Sequence, residues 1–354
     1  MDCAHHRLMG RFLLIRTDAS SLIGSGHAMR CLALAHAWQD AGGDVCFVMA
    51  GGTAELDERL TSEGVKLTKI SPRSGEDDAY QTIALAKHIK PIWITIDGYH
   101  FNSEYQKKIK KEGFKILVID DNGMAGPFYA DLILNQNIHA QPELYPDRQP
   151  SSKLLLGSSY VLLRREFLKK KPLYRTIPEI ARNLLLTLGG ADAGEIMERI
   201  IRDLKRLPVE HLEVSAVAGK TQRTTGIFEN ALSSHPFVVQ LKFNVNNMPE
   251  LMEWADIAIT AAGSTCWELA FMGVPSITLV TAENQCGVAA GLDRAGIFKT
   301  LDWWNRLDPQ TLSKEVMALI LDRKLREEKS LMGKRLVDGS GTVRVLKAMT
   351  EGSR

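Results

Sequence analysis

Long apolar runs are missing from this 354-residue chain, and so is any large excess of charge of one sign. None of its hydrophobic stretches approaches the length of a membrane-spanning helix. The 44 Lys and Arg stand against 42 Asp and Glu, a formal net charge of +2, so no global electrostatic case exists for nucleic acid or a membrane surface. The five cysteines, Cys3, Cys31, Cys46, Cys266 and Cys286, are odd in number, scattered, and without a C-x-x-C pair. Such spacing argues against a disulfide framework or a zinc site and fits a reducing cytoplasm. The opening MDCAHHRLMG lacks an apolar core, so no secretory signal is expected there. No solenoid repeat or low-complexity tract is visible. The basic clusters Lys107–Lys111 and Arg164–Lys171 read as solvated faces or connectors.

What remains is an ordinary globular composition of a length that suggests two domains. Short apolar runs alternate with longer amphipathic stretches, the signature of an α/β chain. RFLLIRT, DVCFVM, PIWITID and KILVID are candidate strands of the first half; NLLLTLG, LEVSAVAG, FVVQL, DIAIT and SITLV are those of the second. Helices are expected at 28–40, 103–111, 193–204 and 265–272. Four or five strands in each half imply two similar domains, joined somewhere in 142–178, which is rich in Pro, Ser, Arg and Lys and a poor candidate for regular core structure. We set the expected limits at 11–155, 156–335 and a tail of 336–354. In open α/β sheets ligands sit beyond the carboxyl ends of the strands, so two such domains facing across a cleft would put the informative residues just after each strand.

After the first strand comes TDASSLIGSGHAM. Gly24 and Gly26 make a turn, and His27 falls at the start of a helix whose inward stripe is read as Met29, Leu32, Ala33 and His36 or Ala37. The positive end of the helix dipole disfavours a cation there, so an imidazole at this point is suited to accept a proton. Asp18 is upstream, where it would either offset the dipole or fix the ring's tautomer. Asp97, Tyr99, Asp120 and Asp121 follow later strands; carboxylates there also cap ordinary turns. In the second half, Gly189 and Gly190 form a strand-to-helix turn that a ligand can approach closely. Gly263 and Ser264 open another helix, where backbone N–H groups and a hydroxyl suit a diphosphate. Glu268 is four residues on, one turn further along the same face, suited to sugar hydroxyls. Ser264 and Glu268 would serve equally as a helix cap with an acid in the first turn. A nucleophilic Ser264 fails the G-x-S-x-G elbow, because Ala262 and Cys266 replace the glycines. Glu283, Asn284 and Gln285 follow a further strand, with amides fit for hydroxyl or acetamido groups.

Taken together, IRTDASSLIGSGHAMRCLALA, VIDD, ADLILNQN, LLGSSYVLLRREF, LGGAD and ITAAGSTCWELAFMGVPSITLVTAENQ resemble the nucleotide-sugar hydrolases of pseudaminic acid biosynthesis, in that family's order from Phe12 to Leu346. That family cleaves UDP-2,4-diacetamido-2,4,6-trideoxy-β-L-altropyranose and belongs to a wider group with GT-B glycosyltransferases of lipid II synthesis and spore-coat polysaccharide proteins. The resemblance implies a GT-B-like fold of two Rossmann-like domains, the water or acceptor side first and the UDP side second. It also implies a C-terminal helix packing back on the first domain. It makes His27 the catalytic histidine, Tyr99 a liner of the sugar site and Asp18 part of the first catalytic loop. Gly24, Gly26, Gly189, Gly190, Gly263, Ser264, Glu268, Asn284 and Gln285 fall on substrate-contacting motifs, with Glu268 on the ribose. Ala193 stands where proline is common after FGGSD, which bears on the sugar's identity. The expected reaction is inverting hydrolysis of a UDP-linked diacetamido sugar, without a metal because no DxD-like acidic cluster is evident in the second half and without another cofactor, by a cytoplasmic monomer with no nucleic-acid or membrane partners. The alternative is a GT-B transferase passing a UDP-amino sugar's glycosyl group to another acceptor.

Overall fold

The structure, a computed structural model, describes residues 8–20, 24–72, 75–170, 175–189, 194–209, 211–218, 236–243, 245 and 247–351. The chain divides into two compact units, one of Met1–Arg165 with Gly339–Arg354 and one of Glu166–Asp338. The division therefore falls at Arg165 rather than at 155, and the tail from Gly339 belongs to the first unit. No helix among the described residues is long and apolar enough to cross a membrane.

The first unit is built on seven parallel strands: β1 (Phe12–Thr17), β2 (Asp44–Met49), β3 (Lys66–Lys69), β4 (Trp93–Asp97), β5 (Ile116–Ile119), β6 (Leu132–Asn135) and β7 (Lys153–Leu156). Their order across the sheet is β3-β2-β1-β4-β5-β6-β7. The central strands bury both faces, which is why they read as continuous runs of Leu, Ile and Val rather than as alternation. The short β3, β6 and β7 are strands beyond those expected from the sequence. Each has only four residues, and β7 lies inside the stretch expected to be irregular. Beside an established neighbour, four residues suffice: β6 supplies a full ladder for Lys153–Leu156.

The second unit has six parallel strands, β8 (Asn183–Thr187), β9 (Glu213–Ala218), β10 (Val238–Phe243), β11 (Ile257–Ala261), β12 (Ser276–Val280) and β13 (Lys299–Trp303). They run in the order β10-β9-β8-β11-β12-β13. Both sheets reverse direction of growth once, between β1 and β4 in the first unit and between β8 and β11 in the second. These reversals are the switch points at which an open α/β sheet leaves a crevice.

The C-terminal helix, Gly341–Glu351, is a fixed part of the first unit. Trp93 in β4 donates its indole N–H to the carbonyl of Met349 at 3.0 Å, and Arg344 donates to Ser159 at 2.8 Å. At the helix start the backbones nearly touch: a Cβ on Gly341 would lie 2.1 Å from the Val161 carbonyl oxygen and 2.6 Å from its nitrogen. Because the obstacle is backbone, it has no side-chain rotation to yield. Gly341→Ala is therefore expected to destabilise the first unit by about 1–3 kcal/mol. Hydrogen exchange should show faster opening of Gly341–Glu351 and β4, with the second unit unchanged. An unaltered exchange pattern would contradict this packing.

Candidate functional site

At the switch point of the first unit, the first helix (Gly26–Asp40) starts two residues earlier than its sequence pattern suggested, placing His27 in its first turn. The single inward stripe expected of that helix is also not what forms. Its residues are buried nearly all round, Arg30, Cys31 and His36 included, while Met29 is only half-buried. Gly24 enters the helix with φ +76, a backbone conformation that favours glycine, and its N–H closes a turn onto the Ser20 carbonyl at 2.8 Å.

The histidine's Nδ1 lies 2.6 Å from Oδ1 of Asp97, the last residue of β4. Arg30, one turn along the helix, faces the same carboxylate with two donors at 2.7 Å each. The remaining reach of that guanidinium goes to Asp121, just after β5, at 2.7 and 3.1 Å. Asp121 in turn accepts from the Tyr99 hydroxyl at 2.9 Å and from the Asn137 amide at 2.8 Å. The Tyr99 ring stands edge-on to His27, centroids 4.9 Å apart, although the residue as a whole is exposed. Asn135 fixes the Asp121 main chain by donating to its carbonyl at 2.9 Å. Asn135, the last residue of β6, and Asn137 just beyond it thus both hold Asp121 in place.

Charge decides the tautomer. Burial alone would raise the Asp97 carboxyl, but Arg30 and His27 hold it well below the usual carboxylate range, so it is ionised and only accepts. Asp121 is likewise held down against burial by Arg30. An ionised acceptor at 2.6 Å requires the proton on Nδ1. The contact between Nδ1 and an Arg30 nitrogen at 3.1 Å is then donor beside donor, held by the carboxylate between them. With Nδ1 committed, the lone pair is on Nε2, which has no hydrogen-bond partner among the described residues. This is the orienting half of a carboxylate–histidine dyad, with the basic nitrogen open. The neighbouring Asp120 goes the other way: burial pushes its carboxyl up, against donors from Gly123 and Tyr145.

Asp18 does not orient His27. Its Oδ1 accepts from the N–H groups of Ala50 and Gly51 at 2.7 and 3.0 Å and pairs with Arg16 at 2.7 Å, while Oδ2 faces His100 at 3.0 Å. It ties the loop after β2 to the turn after β4. Burial raises its carboxyl, but His100 and Arg16 hold it far below its ordinary value. The residue that takes the role expected of Asp18 is Asp97, whose position at the end of β4 had marked it. Arg30, Asn135 and Asn137 went unread, because an arginine inside a helical run normally signals a solvated face and amides after a strand carry no signature.

In the second unit the corresponding switch point holds Gly189 and the Gly263–Ser264 turn. Gly189 has φ +88 with nothing within 4 Å of where a Cβ would be, so the turn is both glycine-specific and open. Gly190 lies outside the described residues. Ser264 occupies the N-cap position of the helix Thr265–Met272, yet its side chain makes no cap hydrogen bond and is exposed. The N–H groups of Ser264 and Thr265 meet no acceptor among the described residues, leaving two donors and the positive helix end facing outward. Gly263 adds no bulk, with open space around it. Glu268 is half-buried one turn further along the helix. Beyond β12, Gln285 turns its Oε1 inward to the Thr281 N–H and hydroxyl, both at 3.0 Å, while Asn284 is exposed. Gln285 is thus a brace of its loop, with its amide N–H groups left over. Among the described residues no group of three or more His, Cys, Asp or Glu is placed to hold a metal ion.

Residues 184–340 match the glycosyltransferase family 28 C-terminal domain, a span that contains every one of these second-unit residues. Over the longer chain, an uncharacterised protein of Methanocaldococcus jannaschii is 26% identical across 77% of this chain. The match spans only 56% of that relative's length. The UDP-2,4-diacetamido-2,4,6-trideoxy-beta-L-altropyranose hydrolase of Campylobacter jejuni is 26% identical over 80% of this chain and 97% of its own. A spore coat polysaccharide biosynthesis protein of Bacillus subtilis is 25% identical over 69% of this chain and 71% of its own. Among solved structures, MurG of Acinetobacter baumannii superposes with a TM-score of 0.69 at 18% identity, covering 96% of this chain and 99% of that one. A putative UDP-N-acetylglucosamine 2-epimerase of Listeria monocytogenes gives 0.71 at 14% identity, covering 97% and 96%. The fold is GT-B: two α/β units, each on its own parallel sheet.

The tautomer is directly measurable. Nitrogen-15 NMR of the ring should find His27 protonated on Nδ1 and bare on Nε2, and Asp97→Asn should abolish that preference without unfolding the unit. A wild-type ring protonated on Nε2 would contradict the dyad.

Proposed function

We propose that the chain is a nucleotide-sugar hydrolase that releases UDP from UDP-2,4-diacetamido-2,4,6-trideoxy-β-L-altropyranose, as in pseudaminic acid biosynthesis. The observation that carries this reading is the His27 ring, locked through Nδ1 to a buried, ionised Asp97, with Nε2 unpartnered among the described residues. Likeness to the Campylobacter hydrolase along 97% of that protein's length supports the choice of substrate.

In the proposed reaction, Nε2 of His27 takes a proton from water as the water oxygen bonds to the anomeric carbon. The bond from that carbon to the diphosphate oxygen breaks, its electron pair leaves with UDP, and the anomeric centre inverts. The Asp97 carboxylate steadies the imidazolium that forms, the role of the third member of a catalytic triad. Tyr99, edge-on to the ring, lines the sugar's side. Charge gathering on the departing diphosphate is met by the free N–H groups at Ser264 and Thr265 and by the helix dipole behind them. Glu268 accepts from the ribose hydroxyls. No metal or organic cofactor enters this scheme.

A transferase reading is supported by the family 28 match, which covers residues 184–340 and does not include His27, so it does not bear on what acceptor meets that ring. The test is incubation with a panel of UDP- and CDP-linked diacetamido sugars, following nucleotide release in the presence of chelator and without any added acceptor. Release of UDP from the altropyranose donor alone is expected. His27→Ala should lower kcat by about 10²–10⁴. Glu268→Ala should raise KM about tenfold or more with a smaller effect on kcat. No release until an acceptor is added would favour the transferase, and full activity in His27→Ala would remove the base.

A further inference from the structure

The buried cluster around His27 contains more charge than a dyad needs. Asp97 and Asp121 are both ionised, and Arg30 is the cation that bonds to both. While the imidazole is neutral, two negative charges face one positive, an excess of one. A proton arriving on Nε2 cancels that excess. Other titratable groups also face the ring or its partners. Tyr99 donates its phenol O–H to Asp121. Burial pushes the Cys31 thiol, 3.4 Å from Asp97, well up. Asp120, next to Asp121, accepts with its carboxylate from the Gly123 N–H and the Tyr145 hydroxyl rather than from Arg30, and burial lowers His139, which faces the Asp121 carbonyl.

We infer that Arg30 is a positioning residue that sets the charge facing His27, and with it the pH range in which that ring acts as the base, while the same guanidinium holds Tyr99 in place through Asp121. This rests on the assignment of His27 as base in the proposed hydrolysis. Without Arg30, two buried carboxylates would confront the imidazole uncompensated, and the ring would keep its proton in the resting site. Without the charge of Asp121, the excess would vanish, and the ring would give up its proton more readily. The two changes therefore push in opposite directions, whereas loss of packing alone would lower rates without ordering them. The arrangement also explains why one arginine serves both carboxylates. A lysine keeps the charge but not the planar fork that spans Asp97 and Asp121, so it retains the pH range and loosens Tyr99.

The test is the pH dependence of kcat/KM for UDP release, paired with an NMR titration of the His27 ring in the same proteins. In Arg30→Met the acid limb should move to higher pH by about one unit or more, a loss of about tenfold or more at a fixed pH below the limb. In Asp121→Asn it should move to lower pH. In Arg30→Lys it should stay near wild type while KM rises. If Arg30→Met does not fold, the opposed behaviour of Asp121→Asn and Arg30→Lys still decides the matter. Limbs that stay put while rates fall, or that move in the same direction in Arg30→Met and Asp121→Asn, would overturn the role given to Arg30. Should the wild-type protein release no UDP, the ring titration alone still reports whether Arg30 and Asp121 act on His27. Failure of the proposed reaction and failure of this inference are therefore separable.

Discussion

A single guanidinium between two buried carboxylates holds the first unit's switch point together. Arg30 comes from the first helix, Asp97 from the end of β4 and Asp121 from the chain just beyond β5, so three elements far apart in sequence meet through one side chain. Burying charge is costly unless the charged groups are paired and hydrogen-bonded, and here the two carboxylates and the guanidinium are. Asn137, Tyr99 and His27 take the remaining positions. Once the cluster is satisfied, the ring of His27 has one orientation and one tautomer. The geometry of the base is a consequence of the electrostatics of the sheet edge, and the sheet order β1-β4-β5 brings the three sources side by side.

The second unit meets its own switch point with the opposite means. Where the first uses buried side-chain charge, the second offers main-chain N–H groups at a helix start that meet no acceptor among the described residues, beside glycines. Such donors carry no net charge and need no partner ion, so they suit an anionic ligand. Side-chain charge suits a group that must hold and release a proton. Two sheets of like topology are thereby fitted to different chemistry.

Much of this was legible in the sequence. The central strands announced themselves as apolar runs, because parallel strands bury both faces. G-x-G-H after β1 and A-G-S-T after β11 gave the two switch points, since short turns into helices need particular residues. What stayed hidden depends on contacts distant along the chain. β6 and β7, with four residues each, are strands because each lies beside an established neighbour, β6 beside β5 and β7 beside β6. The first helix is buried nearly all round, so its periodicity does not show that Arg30 faces the cluster. Asp18 and Asp97 both follow the pattern of an acid at a strand end. Only the register, which sets Thr17 beside Asp97 and sends Asp18 on toward the β2 loop, tells them apart.

Water attack at the anomeric carbon, with His27 as base, is the centre of this account. The most direct measurement is hydrolysis of the UDP-linked diacetamido sugar in oxygen-18 water, with mass analysis of both products. The account predicts the label in the sugar's anomeric hydroxyl, in a single turnover, and unlabelled UDP. Label in the phosphate of UDP would mean attack at phosphorus and would contradict it.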